Sequence, residues 1–417
     1  MKTMENRGQG SPQQHQGSVL KIGWRIKTIA ETCLIKPPKN EAREKVPNSA
    51  LVSFLPMEDL GIDAKFVKAK QTKALSDVVG SYTYFAEGDV LLAKITPCFE
   101  NGKLGIANGL INGIGFGSSE YIVFRPDSTV IKEWLYYFLS RESFREEGAS
   151  GMTGAVGHKR VSKEFIENYQ IPVPPLAEQH RIVGLLDEAF EGLATAKANA
   201  EKNLQNARAL FESHLQAVFT QRGEGWEEKR FDEVCAITST LVDPRKKEYL
   251  DLTHVGAGNI ESKTGVFVDL KTAREEGLIS GKFLFDESMV LYSKIRPYLM
   301  KVARPNFEGL CSADMYPLAP ITNVVNRDYL FHLLLSKHFT DYAIQGSARA
   351  GMPKVNREHL FEFRVWLPDI RKQKQLAANL DSLHEETQSL AAIYERKVAA
   401  LESLKKSLLH QAFNGEL

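Results

Sequence analysis

Two long stretches of the chain carry apolar residues at steps of three and four. The first follows Pro174-Pro175 and puts Ile182, Leu186, Ala189, Leu193, Ala196, Ala200, Leu204, Ala207, Phe211, Leu215 and Val218 on one stripe. The second follows Leu367-Pro368-Asp369 and repeats the frame with Leu376, Leu380, Leu383, Leu390, Tyr394, Val398, Leu401, Leu409 and Ala412, with Thr387 and Lys405 as exceptions. That period predicts two amphipathic helices. Proline is tolerated in a first turn and Asp369 can cap free amides, so both starts are signalled. About 43 residues at about 1.5 Å each make a rod of roughly 65 Å. Alone, such a rod would leave its stripe in water. Each helix could pack on its own domain, or the two could pair as an antiparallel coiled coil through Ile182, Leu186, Leu193, Leu204 and Phe211 against Leu376, Leu380, Leu383, Leu390, Val398 and Leu401. Alanines along the stripe permit close approach, and duplication favours pairing.

Ahead of each helix the pattern is mixed. Short β-rich runs at 89–95, 121–124 and 289–295 alternate with Gly- and Pro-bounded turns, and apolar-periodic helical stretches follow at 131–144 and 329–342. This predicts an α+β domain with many loops in each half. The halves are copies. Gly23-Trp24 returns as Gly225-Trp226, and Cys33 and Cys235 each stand nine residues after their tryptophan. Lys94-Ile95-Thr96-Pro97 returns as Lys294-Ile295-Arg296-Pro297, and Ser118-Ser119-Glu120 as Ser312-Ala313-Asp314. From Pro174 to Phe219 the chain aligns without a gap on Pro368 to Phe413 at an offset of 194. The expected organisation is an N-terminal arm (1–18, polar, with no targeting pattern), a first domain (19–175), a helix (176–222), a second domain (223–368) and a second helix (369–417).

Composition narrows the chemistry. The 417 residues carry 53 Lys+Arg against 52 Asp+Glu, a net charge of +1. Mean hydropathy is −0.27, and no apolar run reaches the roughly 18–20 residues of a membrane span; a cytoplasmic protein without a membrane partner is expected. A pI near 7.7 lies below the values above roughly 9 that mark domains gripping nucleic acid by charge alone. Cys33, Cys98, Cys235 and Cys311 are far apart, with no metal-ligand spacing, and are expected as reduced thiols. Gly281-Lys282 is followed by Phe283, so no phosphate loop exists; Gly113-Ile114-Gly115-Phe116-Gly117 lacks the context of a nucleotide loop and suits a Gly-rich turn. No HExxH, GxSxG or Asn-Pro-Pro-aromatic run occurs. The chain is expected to do no chemistry of its own and to bind neither metal nor cofactor.

Binding chemistry is richer. Each β-rich core ends in a Lys-Ile-x-Pro turn, with Lys94 and Thr96 in the first half and Lys294 and Arg296 in the second. A Gly-rich basic loop precedes each domain's last segment, carrying His158, Lys159, Arg160 and Ser162, then Arg349, Lys354, Asn356 and Arg357. Glycines let backbone approach a phosphate, while Lys, Arg, Ser and Asn contact phosphates and base edges. Solvated surface loops are the plain alternative for any one residue; the repeated placing favours the loops as sites. Ser118 and Ser312 complete the candidate set.

The Gly-Trp starts, the junction Ile171-Pro-Val-Pro-Pro-Leu-Ala-Glu-Gln179 and the ending Leu409-His-Gln-Ala-Phe-Asn-Gly-Glu-Leu417 resemble the specificity subunit of type I restriction-modification systems over residues 19–417. The second junction departs from that pattern, keeping Pro368 and Gln373 but losing the glutamate. The resemblance implies two target recognition domains, each reading half of a bipartite, asymmetric site on double-stranded DNA, with the helices as spacer. It also implies two methyltransferase subunits carrying S-adenosylmethionine, and restriction subunits using ATP and magnesium. Two other readings stand beside it: a coiled-coil scaffold that binds no DNA, and a detached specificity module of a fused restriction-methyltransferase, against which the missing methyltransferase motif counts.

Overall fold

A computed structural model describes residues 21–155, 157–347 and 353–417; the 1–18 arm and Arg349 lie outside them. The chain folds as two compact units, one made of the chain up to Ala198 together with Val398–Leu417, the other of Asn199–Lys397. Each contains one mixed domain, and the two domains share a strand topology. In the first, Cys33–Ile35, Tyr121–Pro126, Val90–Ala93 and Leu104–Ala107 lie side by side, with Phe66–Val67 beyond. In the second, Cys235–Ala236, Met315–Pro320, Val290–Ser293 and Val302–Ala303 follow the same order. Even the register repeats: Cys33 stands opposite Pro126 and Cys235 opposite Pro320. A second sheet in each domain is built around a parallel pair, Leu51–Leu55 with Ile114–Gly117 and Thr253–Val255 with Gly309–Cys311. Arg25–Thr28 pairs antiparallel with Gln170–Val173, and Glu227–Arg230 with Arg364–Leu367, so each domain's first and last strands are tied where the chain leaves for a helix.

The predicted strands are short for a physical reason. Val90, Leu91, Leu92 and Ala93 are all buried, so the run is apolar on both faces and ends where polar residues begin. The glycine segment is neither a nucleotide loop nor a turn but the strand Ile114–Gly117. A Cβ on Gly115 would stand 2.1 Å from the Phe85 ring, and one on Gly117 2.3 Å from the Leu55 carbonyl oxygen. These glycines allow close packing of the strand. The helical stretches at 131–144 and 329–342 each divide in two, Lys132–Leu139 with Glu142–Ser150 and Arg327–Leu335 with Lys337–Gln345. Apolar spacing runs on across the breaks, where Arg141 and Ser336 take extended backbone with ψ of 141° and 147°. Ser336 Oγ then accepts from Phe339 N and starts the next helix.

The long helices span Leu176–Thr220 and Ile370–Asn414. Their junction glutamines do the same work. Gln179 Oε1 accepts from Ile131 N while Nε2 donates to Thr129 O and Pro174 O. Gln373 Oε1 accepts from Asn326 N while Nε2 donates to Val324 O and Pro368 O. Both amides are buried and satisfied, and each fastens a helix start to the loop before the paired domain helices. Glu178, absent from the second junction, pairs with Arg181 at the surface, so its absence there removes little.

Each compact unit takes the start of one long helix and the end of the other. In the first, Ile182 and Leu186 share a core with Leu409, Ala412 and Phe413. Phe413 packs 4.4 Å from Trp134 and 5.3 Å from Phe138, and Lys197 pairs with Glu402 at 2.7 Å. In the second, Leu215 and Phe219 join Ala377 and Leu380. Phe219 lies 5.0 Å from Tyr329, Phe211 lies 4.6 Å from His384, and Arg208 pairs with Glu395 at 2.6 Å. Within each unit the helix segments therefore run antiparallel and also pack on that unit's domain. Leu193, Leu204, Phe211, Leu376, Leu383, Val398 and Leu401 are half-buried. Leu390 differs from expectation: it is 39% exposed, while Thr387, an exception to the apolar stripe, is buried. Thr387 Oγ1 donates to Leu383 O, which lets a hydroxyl face a helix seam. The stripe then steps by four to half-buried Ala391, leaving Leu390 on the solvent side.

Candidate nucleic-acid interface

Three chain segments meet at the same place in both domains. The first is the Lys-Ile-x-Pro turn that follows the strands Val90–Ala93 and Val290–Ser293. The late basic loop pairs with it: Thr96 N donates to Lys159 O and Val161 N to Lys94 O, while Arg296 N donates to Pro353 O and Val355 N to Lys294 O. The third segment enters through Lys94 N donating to Glu120 O and Lys294 N to Asp314 O. These backbone contacts put a carboxylate between two cations. Glu120 accepts from Arg160 Nε and Nη2, both at 2.8 Å, with Lys94 Nζ at 4.0 Å. Asp314 has Lys354 Nζ at 3.5 Å and Lys294 Nζ at 4.0 Å.

The candidate residues divide by role. Lys94 Nζ donates to Ser119 O, and Lys294 Nζ to Ala313 O, so both lysines also anchor the turn they face. Ser118 and Ser312 accept from the amides of Glu120 and Asp314, each at 3.2 Å, and shape those turns. Thr96 Oγ1 donates to Glu100. Ser162 and Asn356 cap the helices Lys163–Asn168 and Arg357–Glu362 by accepting from Phe165 N and His359 N. Arg357 donates to Ile237 O and lies over the Phe361 ring. His158, Lys159, Arg160, Arg296 and Lys354 have exposed side chains. Arg349 lies outside the described residues.

The acidic members, Glu120 and Asp314, escape a search for basic residues, although both stand in the repeated Ser-x-acid match. Arg160 hydrogen bonds hold the Glu120 carboxyl below the usual carboxylate range, and Glu120 in turn raises the Arg160 guanidinium. Burial, helped by neighbouring Lys354, lowers the Lys294 ammonium. Elsewhere, burial pushes the Cys33 and Cys311 thiols up to about 12, so neither is a ready thiolate. Among the described residues no histidine, cysteine or acidic cluster is arranged to hold a metal ion, and no helix is long and apolar enough to cross a membrane. A cavity of about 920 Å³ in the first unit is lined by Tyr137, Asp187, Phe190 and Lys405 and by none of the candidate residues.

Two copies of one α+β domain, each presenting the same loop-built charged cluster and each packed on antiparallel helix segments, define a duplicated binding subunit. The model of the type I restriction modification DNA specificity domain matches residues 24–204 and 223–396. The chain belongs to that family and is a DNA-recognition specificity subunit. Among its relatives, the type I restriction enzyme EcoDI specificity subunit of Escherichia coli is 28% identical over 69% of this chain and 71% of its own length. The EcoAI specificity subunit of the same organism is 33% identical over 56% of this chain, which corresponds to 40% of that relative. Among solved structures, one described for complex assembly and conformational transition of the type I R-M system superposes with a TM-score of 0.73 at 18% identity, covering 96% of this chain and 100% of that one. The HsdS subunit from Thermoanaerobacter tengcongensis gives 0.65 at 18% identity, covering 96% and 99%. Both likenesses are of fold.

Proposed function

We propose that each recognition domain reads one half of a bipartite, asymmetric DNA site through the face holding its cation–carboxylate–cation cluster. The carrying observation is that the same three segments build this cluster twice, while the loops around it differ. One domain per half-site then gives two different half-sites, and the paired helices set their separation. In this reading the chain is not itself catalytic and acts in the cytoplasm. It scaffolds two methyltransferase subunits, which hold S-adenosylmethionine, and restriction subunits, which use ATP and magnesium. Phosphate contacts position such a protein and base-edge contacts specify the sequence; the exposed Lys159, Arg160 and Lys354 suit the first task.

The test is to replace Lys159 and Arg160 together by alanine and assemble the full methylating complex. Methylation of a cognate duplex should fall, and the dependence of binding on salt should flatten by about one unit for each phosphate that the variant no longer neutralises. Unchanged activity and unchanged salt dependence would remove this loop from the interface.

A further inference from the structure

The turn after Lys294 in the second domain holds out an aromatic ring that no structural need explains. Tyr298 is 51% exposed, and among the described residues it has neither a ring partner nor a hydrogen bond from its hydroxyl. It is the middle residue of the single-turn helix Pro297–Leu299. The turn is rigid. Arg296 and Met300, on either side, both take left-handed backbone with φ of 49° and 48°, which non-glycine residues hold only where surroundings enforce it. Here Arg296 N donates to Pro353 O, Leu299 N to Arg296 O, Met300 N to Pro297 O, and Lys263 N to Met300 O. Pro297 is buried beneath the turn. The partner of Arg296, Pro353, is the immediate neighbour of Lys354, so Tyr298 extends from the same turn-and-loop junction that carries the Lys294, Asp314 and Lys354 cluster.

An exposed ring on a hydrogen-bonded turn, with the exposed Arg296 in the same turn and the exposed Lys354 on the loop paired with it, has the chemistry for a nucleobase: a flat apolar face for the base, with cations for its phosphates. We propose that Tyr298 stacks on a base in the half-site read by the second domain. This rests on the placing of the DNA face proposed above. The first domain has no counterpart in the equivalent turn, where the position matching Tyr298 is Cys98 and the next residue, Phe99, is fully buried. The aromatic contact therefore belongs to one half-site only and makes the two domains unequal in how they hold DNA.

The experiment compares Tyr298→Ala, Tyr298→Phe and Lys354→Ala in the complete complex with its methyltransferase subunits. The readouts are binding to the cognate duplex over a salt series and subunit stoichiometry. Tyr298→Ala should weaken binding about 10-fold with the salt slope unchanged, because a neutral ring releases no counterion, while Tyr298→Phe stays within about twofold. Thermal melting of the chain should match the parent for both, since the side chain is exposed. Parental affinity in Tyr298→Ala, with Lys354→Ala weakened and flattened in salt slope, would sink the stacking contact and keep the interface. Parental affinity in all three variants would sink both. Dissociation of methyltransferase subunits from Tyr298→Ala would assign the ring to a protein contact and overturn the proposal.

Discussion

His332 and Tyr137 stand at matching places in the two domains, and each donates to an aspartate on a long helix, Asp381 and Asp187 respectively. The aspartates are repeat-equivalent, and each also receives a cation, Arg304 in the second unit and Lys65 in the first. The latch is thus kept while its chemistry differs. Burial pushes His332 below the ordinary imidazole range, against the opposing pull of Asp381. Burial alone would raise the Asp381 carboxyl, but the hydrogen bonds from His332 and Arg304 hold it well below the usual range. Both shifts act in one direction. A buried imidazole that resists protonation leaves the unfolded chain to take up the proton below about pH 6.5, and the Asp381 contribution disappears further down, below about pH 4. Stability of the second unit should therefore fall as pH drops from about 6.5, with His384 and Asp328 as the other titratable neighbours. Denaturant midpoints measured across this range should show the decline, and His332→Gln should flatten its upper part. An unchanged profile in that variant would mean that another group carries the decline.

At the scale of elements, the long helices owe their stability to what their ends touch. Phe413 ends one helix against Trp134, and Phe219 ends the other against Tyr329. A helix of 45 residues with a stripe of many alanines has only a thin apolar seam in its middle, so the large side chains near its ends hold it in place. Substitutions should follow burial and not hydrophobicity. Leu380→Ala, at a fully buried position, should cost about 2–5 kcal/mol. Leu390→Gln, on the solvent side, should stay within about 0.5 kcal/mol. Equilibrium unfolding of the full chain decides this, and equal destabilisation at the two positions would return Leu390 to the seam. The broken domain helices carry the same lesson. Their apolar period is continuous through Ser140 and Ser336, and the extended backbone at Arg141 and at the capping Ser336 divides them.

For the whole molecule, neutrality takes on a definite meaning. Residues 19–175 carry 20 basic and 18 acidic residues, and residues 223–368 carry 19 and 20, so neither domain is a basic patch. Several candidate cations are paired with carboxylates of their own domain. Phosphate neutralisation dominates raw affinity for DNA. The isolated chain should therefore bind duplex weakly and with strong salt sensitivity, reaching tight specific binding only with its partner subunits; nanomolar specific binding by the chain alone in a filter or fluorescence assay would overturn this. Duplication, the two long helices, the α+β character and the family motifs were legible in the sequence, because repeats, periodicity and prolines are local signals. The Lys-Ile-x-Pro turns and basic loops were legible as candidates for the same reason. The capping roles of Ser162 and Asn356 are equally local, each accepting from an amide three residues on, and went unread; which residues face solvent, such as Lys159 and Lys354, was not legible. Nor was the pairing of Arg160 with Glu120, forty residues away, or the sharing of each helix between two compact units. Sequence by itself determined what repeats, and that two α+β domains and two long helices form. Tertiary structure alone decided which cations pair with carboxylates and anchor neighbouring turns, as Arg160 does with Glu120 and Lys294 with Ala313, because that depends on contacts between segments far apart in the chain.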